Sequence, residues 1–322
     1  MSIRGLNNGL AVVLGLIVLG LTTICGVCEA ELRAIDAVPT VELLRVPSYC
    51  EGVVFDHAGA GYISWKDTIT KFSLEGKHSV WAVTGAPNGH KILADGTHLV
   101  CDASQHAVLH LSADGKMLPP ASKECDGAAL RGPNDLTLDT PHGGFYFTDP
   151  GDSSREKPIG TVHYVDQAGK TYLVDKGLAF PNGIALSADG KTLYLAESQT
   201  NKIWVYAVEA AGKVGPRKLY ADLPKHDSGD PLQSQPDGIC LDAAGNLYVA
   251  HYGMQQVQVL APGGKLIRRY DGGNVTTSNV AFGGPQRDQL FITGGIGKEA
   301  SEGGLFRIDL KTPGLVILPQ PK

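Results

Sequence analysis

Residues 181–197 read PNGIALSADGKTLYLAE, and this stretch decides the fold. An alternating apolar run at 182–187 leads into an Ala-Asp-Gly turn at 188–190, and a second β-rich run follows at 193–197. Period-two alternation on both sides of an Asp-Gly turn is typical of a β-hairpin. This stretch therefore predicts two antiparallel strands joined by a tight turn.

The same pattern occurs six times along the chain. The first runs lie at 51–56, 88–93, 134–139, 182–187, 237–242 and 278–283, and the second runs at 61–65, 99–102, 145–149, 193–197, 247–251 and 290–294. Successive first runs are about 37, 46, 48, 55 and 41 residues apart, the period of four-stranded propeller blades. The repeat predicts an all-β fold, a six-bladed β-propeller that forms one domain over residues 31–322.

Composition agrees with one globular domain. Of the 322 residues, 43% are hydrophobic and 19% charged, which is too apolar for a disordered chain. The net charge is −5 with no long run of either sign, which argues against a nucleic-acid partner. The 41 glycines fit a fold with many tight turns.

The N-terminus has the layout of a secretory signal peptide. Arg4 precedes an apolar run from about residue 10 to 27, and small residues stand at 28 and 30. We expect residues 1–30 to direct export to the periplasm or the medium, with no stable membrane insertion after cleavage. An uncleaved membrane anchor is the alternative, because the apolar run is somewhat long.

Four cysteines would remain after cleavage. They show no Cys-x-x-Cys or Cys/His spacing of a zinc site. In an exported protein they could form up to two disulfides, and buried free thiols are the other interpretation. These cysteines are Cys50, Cys101, Cys125 and Cys240.

Two sets of polar residues should meet at one mouth of the central channel. The first strand of each propeller blade is innermost, and the antiparallel second strand returns to the same face. The starts of the first strands carry Glu51, Asn88, Asn134, Asn182, Asp237 and Ser278, and the ends of the second strands carry Trp65, Asp102, Asp149, Glu197, His251 and Gly294. Crowded carboxylates need a cation to offset their charge, and oxygen ligands favour Ca²⁺ first and Mg²⁺ or Mn²⁺ next. His251 leaves Zn²⁺ open, but a histidine in the pocket wall is the favoured interpretation.

Several segments resemble the SMP-30/gluconolactonase/luciferin-regenerating-enzyme family. They are Cys-Glu-Gly-Val at 50–53, Gly-Pro-Asn-Asp at 132–135, Phe-Thr-Asp-Pro at 147–150, Phe-Pro-Asn-Gly-Ile at 180–184, Gln-Pro-Asp-Gly at 235–238 and Asn-Val-Ala-Phe-Gly-Gly at 279–284. The resemblance implies a six-bladed propeller with one divalent metal on its axis.

The resemblance also implies roles for particular residues. It makes Glu51, Asn182 and Asp237 the metal ligands, places Asn134 beside the metal and against the substrate, and puts Asp149 near the same pocket. Some members, notably the sugar-lactonase regucalcins, have an arginine two residues before that asparagine, where this chain has Gly132.

The sequence thus suggests metal-dependent hydrolysis of a lactone or a related small ester. In this hypothesis Asp237 is the general base, and His251 is a possible second proton shuttle. Asn134, Asn88 and Asp102 would orient the substrate. An arylesterase or phosphotriesterase-like activity on the same metal, a non-catalytic ligand-binding propeller, and a strictosidine-synthase-like enzyme are the alternatives.

Overall fold

The computed structural model describes residues 34–319, together with Met1, and this part of the chain is almost entirely β-strand. The segment predicted as a signal peptide, residues 1–30, lies outside the described residues apart from Met1. Three single-turn 3₁₀ helices occur, at Ser198–Thr200, Pro231–Gln233 and Lys298–Ala300. Within residues 34–319, no helix is long and apolar enough to cross a membrane.

Twenty-six strands make up the described chain. In chain order they are β1 (Thr40–Val46), β2 (Cys50–Phe55), β3 (Gly61–Trp65), β4 (Thr68–Phe72), β5 (His78–Val83), β6 (Pro87–Ile92), β7 (His98–Asp102), β8 (Ala107–Leu111), β9 (Glu124–Cys125), β10 (Ala128–Ala129), β11 (Leu136–Asp139), β12 (Gly144–Asp149), β13 (Gly160–Val165), β14 (Thr171–Leu178), β15 (Pro181–Leu186), β16 (Thr192–Glu197), β17 (Lys202–Ala210), β18 (Lys213–Val214), β19 (Lys218–Asp222), β20 (Gln235–Leu241), β21 (Leu247–Tyr252), β22 (Gln256–Leu260), β23 (Leu266–Asp271), β24 (Thr276–Gly283), β25 (Gln289–Ile296) and β26 (Glu302–Asp309).

The strands form seven antiparallel sheets: six are the blades, one for each sequence repeat, and the seventh is the two-stranded pair of β9 and β10. The prediction of a six-bladed β-propeller is confirmed. The innermost strands of blades one to six are β2, β6, β11, β15, β20 and β24. Blade two has three full strands, and two isolated bridges at Met117 and Ser122 replace its outer strand. Blade four carries the extra short strand β18.

The N-terminal strand closes the ring. Strand β1 pairs with β26, so the last blade has the order β1-β26-β25-β24 and contains both ends of the propeller. Leu44 and Val46 of β1 are buried in the cluster that includes Phe291 and Leu305. Strand β1 lies outside the six repeats, and its partner β26 lies more than 250 residues further along the chain. The repeat pattern therefore did not predict this pairing.

Apolar clusters lie between neighbouring blades. Phe55 of blade one packs against Phe291 of blade six with ring centroids 4.6 Å apart. Buried tyrosines of the second strands also reach the ends of the first strands, as where the Tyr62 hydroxyl donates to Asp56 Oδ2 at 3.0 Å. These contacts combine apolar burial with a satisfied hydroxyl.

The C-terminal segment lies across the end of the channel opposite the predicted metal site. The Gly314 N–H donates to the Arg287 carbonyl at 2.8 Å, and the Leu315 N–H donates to the Leu241 carbonyl at 2.9 Å. Leu318 is buried in the cluster of blades one and two. A small cavity of about 70 Å³ lies between this segment and the apolar ends of the inner strands.

All four cysteines of the described range are free thiols. Cys50 is buried, and its Sγ lies 3.3 Å from the Gly304 carbonyl oxygen and 3.5 Å from that of Gly294. Burial raises the pKa of the Cys50 thiol to about 12, which keeps it protonated. Of the two interpretations of the cysteines, free thiols match the structure.

Candidate metal centre

Most inner strands are irregular at their channel-mouth residue. In five blades the pairing with the second strand shifts register there, between Glu51 and Val54, Pro87 and His90, Pro181 and Ile184, Pro236 and Ile239, and Thr277 and Asn279. Such bulges redirect side chains and are common beside active sites. The sequence analysis placed these residues at the strand starts but did not predict the bulges.

Glycines follow several of the mouth residues because neighbouring inner strands approach closely there. A Cβ on Gly183 would collide with the Asp237 carbonyl oxygen, and one on Gly238 would collide with the Asn279 side chain. Only a residue without a side chain fits such a contact. The Asn-Gly and Asp-Gly pairs therefore serve the packing of the channel as well as its chemistry.

The predicted metal ligands Glu51, Asn182 and Asp237 are all buried around the channel. Burial raises the pKa of Glu51, and it raises the pKa of Asp237 well above its usual range. The Glu51 carboxylate also raises the pKa of Asp237, because like charges in a low-dielectric site disfavour ionisation. The amide of Asn182 acts in the opposite direction and lowers the pKa of Asp237.

A third carboxylate, Asp135, belongs to the same group. It is buried, burial raises its pKa, and its charge in turn raises the pKa of both Glu51 and Asp237. Lys91 Nζ lies 3.9 Å from Asp135 Oδ1 and offsets part of this charge. Asp135 is not among the site residues predicted from the sequence. The available signal was the third repeat, which has Asn-Asp where four of the other repeats have glycine after the polar residue.

Three buried oxygens at this end of the channel have no hydrogen-bond partner among residues 34–319. They are Glu51 Oε2, Asn134 Oδ1 and Asn182 Oδ1. An unpaired buried acceptor is costly, and buried polar atoms of native proteins nearly always have a partner. Carboxylate and amide oxygens are the ligands that hard divalent cations prefer. The residues present therefore fit a cation such as Ca²⁺.

The candidate set has no soft ligands. In the described part of the chain, no three His, Cys, Asp or Glu side chains cluster closely enough to hold a metal ion by themselves. A metal at this mouth would use amide oxygens of asparagine beside the carboxylates of Glu51 and Asp237. Such a mixed set suits Ca²⁺ or Mg²⁺ better than Zn²⁺, which prefers nitrogen and sulfur.

The carboxylates of the second strands bind backbone instead of facing the axis. Each accepts hydrogen bonds from the N–H groups that precede the proline at the mouth of its own blade. The sets are Asp102 with Gly85 and Ala86 at 2.8 and 3.0 Å, Asp149 with Arg131 and Gly132 at 2.7–3.0 Å, and Glu197 with Ala179 at 2.7 Å. The repeat thus gives these residues one shared structural role as backbone acceptors, and substrate binding by Asp102 and Asp149 stays a prediction.

His251 is likewise engaged between blades. Its Nε2 lies 2.9 Å from Asn201 Oδ1, and the Asn201 amide donates to the carbonyls of Leu223 and Pro224 at 3.1 Å. Full burial lowers the pKa of His251 to about 3, which keeps the ring neutral. The role of proton shuttle stays a prediction, and the contacts place this ring in the packing between blades four and five.

The remaining residues at the channel mouth also divide into those that keep an atom free for a ligand and those that only hold the blades together. Asn134 and Asn88 are half-buried, and the Gly89 N–H links their strands by donating to the Asn134 carbonyl at 2.8 Å. The Ser278 hydroxyl donates to the Cys50 carbonyl at 2.7 Å, so it braces blade six against blade one. Asn134 therefore keeps a free amide oxygen for a ligand, whereas Ser278 is a packing residue.

Fold and site together define a class: a six-bladed β-propeller with an oxygen-rich polar centre at one mouth of its channel. The model of the SMP-30/gluconolactonase/LRE-like region matches residues 50–295. The chain belongs to this family, as the sequence motifs suggested.

Named relatives span most of the chain. Lactonase drp35 of Staphylococcus epidermidis is 29% identical over 307 residues, which cover 86% of this chain and 88% of the relative. Diisopropyl-fluorophosphatase of Loligo vulgaris is 28% identical over 293 residues, 82% of this chain and 90% of the relative. Among solved structures, the calcium-binding protein regucalcin of Agrobacterium tumefaciens superposes with a TM-score of 0.71 at 21% identity, over 86% of this chain and 97% of that one. This likeness concerns the fold.

Proposed function

We propose that this protein is a divalent-cation-dependent hydrolase that opens a lactone or a related small ester. The observation that carries the proposal is the set of buried oxygens without a partner in the described chain, on Glu51, Asn134 and Asn182, beside the carboxyl of Asp237. Glu51, Asn182 and Asp237 would hold the cation, with Ca²⁺ first and Mg²⁺, Mn²⁺ or Zn²⁺ as the other candidates. A bound cation supplies Lewis-acid polarisation of the ester carbonyl.

Side chains of this protein would transfer the proton from the attacking water to the leaving group. Asp237 is the candidate general base, because a carboxylate at the mouth can accept a proton from the attacking water and return it to the leaving alkoxide oxygen. Burial raises the pKa of this carboxyl, so its ionised form is a stronger base than an exposed carboxylate, and a bound cation would keep it ionised before the reaction. The half-buried Asn134 would orient the substrate.

The comparisons support a hydrolase of this kind. One relative is named a lactonase, and the solved neighbour regucalcin is described as calcium-binding. The Loligo relative, a diisopropyl-fluorophosphatase, favours a second candidate on the same site, hydrolysis of a phosphotriester. Both reactions place negative charge on an oxygen next to the cation, so one set of ligands could serve either.

Export belongs to the proposal as well. The apolar run from about residue 10 to 27 and the small residues at 28 and 30 support a cleaved signal. Fractionation of expressing cells with N-terminal sequencing would test it. A mature N-terminus at residue 31 in the exported fraction is the expected result, and an intact N-terminus in the membrane fraction would favour the anchor.

The decisive experiment is acid release from a panel of lactones, aryl esters and a phosphotriester. The protein would be treated with EDTA, then supplied with Ca²⁺, Mg²⁺, Mn²⁺ or Zn²⁺ in turn. We expect turnover of a lactone to disappear with EDTA and to return with one cation. Asp237→Asn should lose hydrolysis while keeping its fold by circular dichroism.

Other outcomes would count against the proposal. Full activity of Asp237→Asn would remove Asp237 as the base, and turnover of the phosphotriester alone would favour the second candidate. Cation binding without turnover of any substrate would indicate a non-catalytic ligand-binding propeller.

A further inference from the structure

Two hydroxyl groups that the sequence motifs do not include hold the proposed cation ligands. We propose that Tyr49 and Ser198 are positioning residues of the cation site, which orient the Glu51 carboxylate and the Asn182 amide so that one oxygen of each faces the ion. The inference rests on the proposed cation site, but it does not depend on which substrate, if any, the site hydrolyses.

Tyr49 fixes one oxygen of Glu51 and leaves the other free. Its hydroxyl donates to Glu51 Oε1 at 2.9 Å, whereas Oε2 of the same carboxylate is buried with no partner in residues 34–319. The Asn279 amide also lies near this carboxylate and lowers its pKa. A carboxylate held through one oxygen is pre-oriented, so a ligand meets the second oxygen without further loss of side-chain entropy.

Ser198 likewise fixes one end of the Asn182 amide and leaves the amide oxygen free. Asn182 Nδ2 donates to Ser198 Oγ at 3.2 Å, and that hydroxyl in turn donates to the Pro236 carbonyl at 2.6 Å. Because Ser198 already donates its proton to Pro236, it can only accept from Asn182. The nitrogen of the amide must therefore face Ser198, and Oδ1, which is buried and lacks a partner in the described chain, faces away from it.

The hydrogen-bonded chain from Asn182 through Ser198 to the Pro236 carbonyl also connects the proposed ligands Asn182 and Asp237. Pro236 directly precedes Asp237, and Ser198 directly follows Glu197 at the end of β16. Ser198 is itself buried. The hydrogen bond from Ser198 to Pro236 thus ties the amide of blade four to the strand of blade five that carries the Asp237 carboxyl.

The test compares cation affinity in hydroxyl-deletion variants with matched controls. Tyr49→Phe and Ser198→Ala each remove one hydroxyl and keep the ring or the backbone. The control for the tyrosine is Tyr252→Phe, since the Tyr252 ring lies edge-on to Tyr49 at 6.4 Å and no hydrogen bond joins it to Glu51 in the described structure. The control for the serine is Ser122→Ala, a buried hydroxyl whose partner is Thr171.

Isothermal titration of the metal-stripped proteins with Ca²⁺ supplies the readout. Loss of an outer partner of a metal ligand commonly weakens affinity about 10–100-fold, and we expect Kd to rise by that factor in Tyr49→Phe and Ser198→Ala. Kd should stay within about twofold in both controls, and Ser198→Thr, which keeps the hydroxyl, should retain most of the affinity. The melting temperature of each cation-free variant would be measured beside it.

The outcomes separate this inference from the proposed function. An unchanged Kd in both Tyr49→Phe and Ser198→Ala would overturn the inference, as would a lower melting temperature of the cation-free variants with no change in Kd. A wild-type protein that binds no Ca²⁺, Mg²⁺ or Mn²⁺ would overturn it together with the cation site. Weakened binding in a protein that hydrolyses nothing would uphold the inference while the proposed function fails.

Discussion

Buried carboxylates around the channel mouth occur in two environments, and the environment decides what each can do. Asp102 accepts several backbone hydrogen bonds, and these bonds lower its pKa. For Glu51 and Asp237 burial outweighs the hydrogen bonds that they accept, and it raises the pKa of each. The first kind is a structural anion, and the second kind becomes stable in its charged form when a cation is bound.

The structural role of Asp102 can be tested by removing it. Asp102→Ala would leave the partly buried N–H groups of Gly85 and Ala86 without their acceptor, and we expect the free energy of unfolding to fall by about 2–4 kcal/mol. Denaturant unfolding measures this, with Asp114→Ala as an exposed control that should change stability by less than about 0.5 kcal/mol. An unchanged stability with a raised KM would instead assign Asp102 to substrate binding.

Glu51 makes stability depend on pH and on cations. Its pKa is raised from 4.5 to about 8, first of all by burial, so the folded state keeps a proton that the unfolded chain releases. Without a cation, this contribution to the free energy of unfolding is complete below about pH 4.5 and falls as pH rises through about 8, by about 1.4 kcal/mol per pH unit at most.

Unfolding in denaturant at pH 5, 6, 7 and 8, with EDTA or with Ca²⁺, measures the effect. Saturating Ca²⁺ should remove the decline, because the cation binds the deprotonated carboxylate. The matched variant Glu51→Gln should show a flatter profile in EDTA than the wild type. Parallel profiles for the two proteins would contradict the assignment to Glu51.

At the scale of the element, the inner strand of a blade combines two demands. Its bulge turns a polar side chain into the mouth, and the glycine after that side chain lets the next blade approach. Gly183 shows this best, since its α-carbon lies against the backbone of Asp237 and Gly238. The packing of the blades and the geometry of the ligands therefore depend on the same residue.

Gly183→Ala should damage both packing and cation binding. The added methyl group would push blade five away, which typically costs about 1–3 kcal/mol, and it would displace Asn182 relative to Asp237. Gly215→Ala is the matched control, because a Cβ there would have no atom nearer than 3.7 Å. Thermal unfolding and Ca²⁺ titration of both variants measure the difference. Equal behaviour of the two variants would show that the close approach at Gly183 is not required.

At the scale of the whole molecule, closure of the ring joins residues from both ends of the propeller. Strand β1 is the outer strand of blade six, and its buried side chains pack against blades one and six. The C-terminal segment then crosses the opposite end of the channel and bonds to blades five and six through Leu241 and Arg287. A propeller without these contacts would expose the edge of its last blade.

Closure can be tested with a pair of substitutions in β1. Leu44 is 5% exposed and Val41 is 47% exposed. Leu44→Ala should lower the free energy of unfolding by about 2–5 kcal/mol, because it leaves a cavity against Phe291 and Leu305. Val41→Ala should change it by less than about 0.5 kcal/mol. Denaturant midpoints measure both, and a similar loss in the two variants would contradict a specific role of the buried face.

The amino-acid sequence alone determined the six repeats, the strands that they form and the positions of Glu51, Asn182 and Asp237 at the strand starts. These features follow from local patterns, since alternation, turn residues and spacing are written within each repeat. Only the tertiary structure decided which polar residues face the axis and which bind backbone. Asp102, predicted to orient the substrate, accepts hydrogen bonds from a loop, whereas Asp135, for which the sequence predicted no role, joins the charged centre. The tertiary structure also decided that Tyr49, Ser198 and strand β1 matter, because their partners come from distant parts of the chain that meet only when the ring has closed.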